Sequence, residues 1–302
     1  MQTRGTPGVA ALLVALGAAI VALAIVVLTR AGGECRNAAP EQSATAAVRF
    51  ASFNIEFFPK DQRQVQESFV LIEELGASAI GLQEITDTDR FTTEAKRRLG
   101  DAWDFVFQDV VAIHAKPKLH IGVLYNTDVF QLERVGSRNE TRIDDRTQAT
   151  LQVRLRHRAT GERVTMLVVH FKALPEGRGR RIKQFAGLRS IVSDLQAQGR
   201  NLVIMGDFNA TDKADRDSLE DLSNAADLVW ATEELPCSAF WERADDCPTS
   251  RLDHIFSWKA PASVVAKGGC ELGCESRNSC PLYRREVSDH CPVVLEMNNL
   301  SE

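Results

Sequence analysis

No internal repeat, no glycine-rich phosphate loop and no proline-, glycine- or serine-rich linker interrupts this sequence. With 10 Pro and 19 Gly in 302 residues it is neither collagen-like nor of low complexity, and the uninterrupted middle argues for one main domain. The arginine- and glycine-rich stretch 176–180 lacks the lysine and strand context of a P-loop. Aromatics are sparse, at 14 Phe, 4 Trp and 2 Tyr, and no aromatic hairpin suited to bilayer insertion stands out. Excess positive charge is missing too. The 36 Lys and Arg face 41 Asp and Glu, a formal net charge of -5, so the chain as a whole is not a basic nucleic-acid coat protein.

What is present is a full-size core composition, 44% hydrophobic and 25% charged. Charge is unevenly placed: between Arg134 and Arg189 stand 14 Lys and Arg against 5 Asp and Glu, a local +9 that leaves -14 elsewhere. At the N-terminus, residues 8–28 form a 21-residue run without charge between Arg4 and Arg30. That reads as export machinery over 1–30, and its length favours a signal-anchor over a cleaved signal peptide. Cleavage near Ala44-Thr45-Ala46 is the alternative. Residues 31–47 are small and polar, a tether carrying Cys35, and the folded domain is expected over 48–298.

Six of the seven cysteines lie after residue 236: Cys237, Cys247, Cys270, Cys274, Cys280 and Cys291. In an exported chain such a cluster predicts disulfides, among which Cys237 with Cys247 would close a short loop. A zinc site lacks its CxxC pair.

The run 48–55 is apolar and reads as a buried strand. Val65, Phe69, Ile72 and Leu75 recur at helical spacing, with Gly76 as the stop, and a strand at 79–83 and a helix at 88–99 follow. Runs at 104–111, 120–125 and 129–134 precede a hairpin in which Leu151, Val153 and Leu155 alternate with polar residues and 164–170 returns. A helix over 180–198, a strand at 202–205 and short strands at 252–257 and 292–297 complete the pattern. Parallel and antiparallel signals together predict two packed mixed sheets with helices outside, an α/β sandwich.

Polar residues stand at the ends of these apolar strands, where α/β folds gather ligands. They are Asn54 in SFNI, Glu84 in LQE, His170 in VVH, Asp207 and Asn209 in GDFN, Asp253 in RLDH, and Asp289 and His290 in SDH. Each alone would pass for a turn former or a helix cap. Together they are the parts of a phosphodiester hydrolase: carboxylates for a hard cation, amides to orient oxygens, and two histidines for proton transfer. The oxygen-rich ligand set suits Mg²⁺, with Mn²⁺ or Ca²⁺ also compatible.

The ordered series SFNI, LQE, VVH, GDFN, RLDH, SDH resembles the endonuclease/exonuclease/phosphatase superfamily, which includes DNase I, exonuclease III, sphingomyelinases and inositol polyphosphate 5-phosphatases. The resemblance covers 48–297. It implies a four-layer α/β/β/α sandwich with a metal site at one edge of the two sheets. It also implies that Glu84 is the principal Mg²⁺ ligand, with Asn54 beside it and Asp289 as a further metal-side carboxylate. Asp207 and Asn209 would position water and phosphate, and Asp253 would fix the tautomer of His290. His170 matches the second histidine of the DNase I and sphingomyelinase branches, and Asp109 is a candidate to support it.

Substrate is less determined. Arg178, Arg180, Arg181 and Lys183 follow His170 and are expected to contact a polyanionic backbone, whereas Arg154, Arg156 and Arg158 could equally be the solvated side of a strand. The expectation is an exported or membrane-anchored nuclease acting on DNA or RNA as a monomer, held at the membrane by its N-terminal segment and facing the periplasm or outside, or secreted if that segment is cleaved. No protein partner is inferred. A phospholipid or sphingomyelin phosphodiesterase is the alternative, and a catalytically inactive binding module is the third.

Overall fold

The period-2 alternation of the first strand decides which side chains meet. A computed structural model describes residues 47–108 and 117–301. In it β1 (Val48–Phe58) sends Val48 and Phe50 to one buried cluster and Ala51, Phe53 and Ile55 to another. One sheet has the order β13-β14-β1-β2-β4-β3, comprising β2 (Ala79–Ile85), β3 (Trp103–Phe107), β4 (His120–Asn126), β13 (Ser263–Ala266) and β14 (Val293–Met297) beside β1. The other has the order β5-β6-β7-β8-β12-β9, from β5 (Phe130–Arg138), β6 (Thr150–His157), β7 (Arg163–His170), β8 (Asn201–Asp207), β9 (Val229–Trp230) and β12 (Asp253–Ser257). Each sheet holds one parallel pair, β1 with β2 and β7 with β8, among antiparallel neighbours.

Between the sheets pack Phe50, Val123, Val168, Met205, Ile255 and Leu295, all buried. Gly81 permits this contact, because a Cβ there would lie 2.8 Å from the Met205 sulfur on the opposite sheet. On the outer face of the first sheet lie α1 (Gln62–Glu74) and α2 (Thr88–Leu99), whose Phe69, Ile72 and Phe91 meet Phe53, Ile55 and Phe58. Asp61 and Asp87 cap these helices by accepting from Gln64 N and Arg90 N. On the outer face of the second sheet lie α3 (Arg178–Ala197) and α4 (Lys213–Ala225), placing Phe185, Leu188 and Leu222 on Leu167, Leu202 and Ile204. The expected four-layer α/β/β/α sandwich is the observed architecture.

Beside the sandwich, the strands β10 (Ala239–Phe240) and β11 (Thr249–Ser250) form a small hairpin, and α5 (Leu282–Glu286) follows it. The cysteines form disulfides, as expected, but they pair as Cys237–Cys274, Cys247–Cys280 and Cys270–Cys291. The short Cys237–Cys247 loop is corrected: these two cysteines stand just before β10 and just before β11, and each is tied instead to the segment that crosses from β13 to α5. Of the strand expected at 104–111, residues through Phe107 are strand and 109–111 lie outside the described residues, and the helix expected from 180 begins at Arg178. The sequence pattern missed α4, whose interior buries only Leu219 and Leu222 as apolar residues, and the two-residue strands β9, β10 and β11, which are too short for any period.

The apolar run 8–28, the tether, Cys35 and Asp109 lie outside the described residues. Among the described residues no helix is long and apolar enough to cross a membrane.

Candidate active site

Strand register assembles the site. On the inner face of the second sheet His170 pairs with Asp207 across β7 and β8, and Asp207 pairs with Asp253 across β8 and β12. The three side chains therefore share one row at the end of the intersheet core, on the parity of Val168, Met205 and Ile255. Asn54 continues the parity of Val48 and Phe50 on β1, so it arrives at the same edge from the other sheet. Gly206, immediately before Asp207, has φ +141°, and a Cβ there would sit 2.0 Å from the Val169 carbonyl oxygen, so only glycine lets β7 and β8 approach this closely.

Two irregularities aim the remaining groups. The β1–β2 register shifts between Asn54 and Phe58, and the β2–β4 register shifts between Leu82 and Ile85. These bulges turn Glu84 into the cleft, where its Oε2 accepts from Phe57 N at 3.2 Å. Asn54 Nδ2 donates toward Glu84 Oε1 (3.4 Å) and Asp207 Oδ2 (3.2 Å), while its Oδ1 accepts from Glu56 N. Asn54 thus stands beside Glu84 and bridges the two carboxylates through its side-chain N–H groups. Asn209 donates through its backbone to Asp207 Oδ1 (2.8 Å) and through Nδ2 to Asp207 Oδ2 (2.9 Å) and Phe171 O.

His290 Nδ1 lies 2.8 Å from Asp253 Oδ2, which fixes the ring so that Nε2 faces Asp207 Oδ2 at 3.7 Å. Ser238, which the sequence reading did not single out, donates its hydroxyl to the same Asp253 oxygen at 2.8 Å. Burial works against a charged His290, but Asp253, Asp207 and Asp289 outweigh it and hold the ring well above its ordinary pKa. Burial has the opposite result at His170, pushing it down to about 3, with His290 adding to the effect. The two histidines therefore differ in charge at neutral pH. His170 Nε2 lies 3.5 Å from Glu84 Oε1 and 3.7 Å from Asp207 Oδ2, and its Nδ1 meets no hydrogen-bond partner among the described residues.

Desolvation raises Glu84 and Asp207 each to about 7, with the Asp289 charge adding at Glu84 and the Asp253 charge at Asp207. The His290 charge lowers both carboxylates but does not offset their burial, and a divalent cation would supply the further positive charge, so the donor set fits a hard metal ion. Asp207, Asp253 and His290 also offer one ligand atom each within 4.8 Å of one another. In this group Asp253 Oδ2 is committed to His290 and Ser238, while its Oδ1 meets no hydrogen-bond partner among the described residues. Asp289 lines the cleft, its Oδ1 4.0 Å from His290 Nε2.

The cleft has two arms that share Phe57, Glu84, His170 and Ala173. One carries Arg146, Gln148 and Lys172, and the other carries Leu174, Trp241, Asp289 and His290. Arg178, Arg180, Arg181 and Lys183 line neither arm. Arg181 as a phosphate contact is corrected: it is fully buried, paired with Asp215 at 2.7 Å and donating to the carbonyls of Lys172 and Leu174. Arg180 is paired with Asp144 and Arg178 with Asp212, and Lys183 is exposed beside Arg180. Arg154 pairs with Glu133 on the strand surface. The cations at the cleft, Arg146 and Lys172, were missed because neither stands in a motif.

Comparison with known proteins agrees with this geometry. The model of the Endonuclease/Exonuclease/phosphatase family matches residues 51–290. No curated protein matches the sequence. Among solved structures, the catalytic domain of human nocturnin with bound sulfate superposes with a TM-score of 0.60 at 18% identity, covering 83% of this chain and 93% of its own. An endonuclease/exonuclease/phosphatase from Bacteroides vulgatus gives 0.63 at 16% identity, covering 83% and 98%. TDP2 from D. rerio, complexed with a single-strand DNA product, gives 0.60 at 12% identity over the same shares. At these identities the likeness is one of fold.

Proposed function

The chain belongs to the endonuclease/exonuclease/phosphatase family, and from that premise we propose that it is a metal-dependent phosphodiesterase, a nuclease acting on DNA or RNA outside the cytoplasm. The observation that carries this reading is the convergence, at one edge of two sheets, of a charged His290–Asp253 pair, a neutral His170 and the Glu84–Asn54–Asp207 cluster. Glu84, with Asp289 at the rim, would hold Mg²⁺ or a similar cation, which when bound polarises the phosphoryl oxygen.

The chain's own groups supply the rest. Asp207, held by both donors of Asn209, presents an oriented carboxylate 3.7 Å from each histidine, where a water or a phosphate oxygen is positioned. His290, charged and locked by Asp253, has Nε2–H to donate to a developing negative oxygen. His170, uncharged, accepts or relays a proton on the opposite side.

Arg146 and Lys172 favour a polyanion, having no carboxylate at ion-pair distance among the described residues. The D. rerio TDP2 structure, similar in fold and complexed with a single-strand DNA product, supports this reading. Three disulfides favour an oxidising compartment, consistent with export by the N-terminal segment. A second reading, hydrolysis of a phospholipid diester, is favoured by the exposed Phe57 and Leu174 at the cleft mouth.

The test is hydrolysis of plasmid DNA, RNA and sphingomyelin by the purified chain with Mg²⁺, Mn²⁺, Ca²⁺ or EDTA. EDTA-sensitive cleavage of nucleic acid is expected, and His290→Ala is expected to lower kcat by roughly 10²–10⁴-fold with folding intact. Near-normal turnover by folded His290→Ala, or turnover of lipid alone, would refute the assignment.

A further inference from the structure

Six non-glycine residues among those described adopt left-handed backbone: Glu56, Phe57, Glu84, Leu174, Asn209 and Asp227. Five of them stand at or beside the cleft. For Asn209 and Glu84 the chemistry of the site accounts for the strain. Phe57 (φ +55°) and Leu174 (φ +72°) bring no hydrogen-bonding side chain, and their Cβ atoms make this conformation unfavourable. Both also leave large apolar side chains in water, at 43% and 46% exposure, while lining the same cleft of about 390 Å³. Each backbone is held there by the fold, Phe57 N donating to Glu84 Oε2 and Leu174 O accepting from the buried Arg181, so the strain keeps two apolar side chains at the cleft mouth, where in the free protein they meet water.

Trp241 lines this arm too, and its indole N–H donates to Ser250 Oγ at 2.8 Å, so the ring is held by the β10–β11 hairpin and does not swing freely. Charge separates the two arms. The arm with Arg146 and Lys172 attracts further phosphates, but in the Trp241 arm Arg284 is committed to Glu56, and Glu242 and Asp289 repel anions. The Trp241 arm therefore disfavours a further phosphate and is left to a group without negative charge, with the phosphate-rich side of the substrate running the other way.

We propose that Phe57, Leu174 and Trp241 form a platform for a planar, uncharged group carried on the scissile phosphate, namely the base of a terminal nucleotide. The proposal rests on the phosphodiesterase reading above and adds a polarity to it: the strand end lies on the aromatic arm and the body of the strand over Arg146 and Lys172.

Steady-state kinetics on two short single-stranded oligonucleotides test this with the full chain, one intact and one in which an abasic residue replaces the terminal nucleotide, prepared for each strand end. Wild type is expected to prefer the intact strand by about tenfold in kcat/KM at one of the two ends, the scale of stacking one base on an aromatic face. Phe57→Ala, Leu174→Ala and Trp241→Ala, which lie on three separate segments, are each expected to bring that ratio toward one. Equal turnover of intact and abasic strands by wild type, or variants that lose both substrates in the same proportion, would overturn the platform while leaving the phosphodiesterase reading standing. Cleavage of neither strand by wild type would remove the nuclease reading and the platform with it, and phosphocholine release from sphingomyelin vesicles in that case would assign the apolar rim to lipid.

Discussion

Ser238 clasps the His290–Asp253 pair from two directions. Its hydroxyl donates to Asp253 Oδ2 and accepts from the backbone N–H of Leu252 and Asp253, and its carbonyl accepts from Cys291 N, next to His290. Ser238→Ala is expected to lower kcat by about tenfold or more with little change in KM, because a displaced base or acid loses alignment faster than binding. Ser238→Thr, which keeps the hydroxyl, is expected to recover most of the loss, and steady-state kinetics on both variants check this. Arg181 gives the opposite kind of prediction. Replacing it with Met leaves Asp215 buried without its partner and is expected to cost roughly 3–5 kcal/mol of stability in denaturant unfolding, with the double variant carrying Asp215→Leu recovering part. The salt dependence of nucleic-acid binding is expected to stay the same in the folded fraction. Nothing local distinguishes Arg181 from Arg180 in the sequence, because the carboxylate that buries it stands 34 residues away.

At the scale of elements, the disulfides frame one corner of the site. Cys237 precedes Ser238 and Cys291 follows His290, and each is bridged into the 270–274 turn, through Cys274 and Cys270. β10 bridges to His290 through Ala239, and Phe240 N donates to Asp289 O, so the hairpin, the turn and the histidine move as one piece. Reduction with a dithiol in the absence of denaturant is expected to abolish hydrolysis while the circular dichroism of the two large sheets is retained, since those sheets are stabilised by their own core. Each bridge is expected to contribute about 2–4 kcal/mol, read as the drop in unfolding free energy of the paired Cys→Ser variants. The motif residues on β1, β7 and β8 were legible because each ends a long apolar run, whereas Ser238 sits on a two-residue strand that has no pattern to read.

For the whole molecule, the second sheet and its helices bury two histidines away from the cleft chemistry. Burial pushes His254 down to about 3 and lowers His157 from its ordinary 6.5. Below pH 6.5 the unfolded chain takes up protons at these positions that the folded chain refuses, so their contribution to stability is complete above that pH and is lost as pH falls toward the folded values. His157→Asn, which cannot take up a proton in the unfolded chain, is expected to lose less melting midpoint than the wild type on going from pH 7.5 to pH 5, and thermal unfolding of both at the two pH values checks this. Composition, alternation and the ordered strand-end motifs by themselves pointed to an α/β sandwich of this family and to polar residues that the fold then gathers at one cleft, because a buried strand of period 2 needs only its own residues to declare its faces. Tertiary structure alone decided which cations face the cleft, which arginine is buried, how the cysteines pair and that Ser238, Phe57 and Trp241 join the site. Those outcomes depend on partners distant in sequence and on the register in which the two sheets end, and a single stretch of chain carries neither.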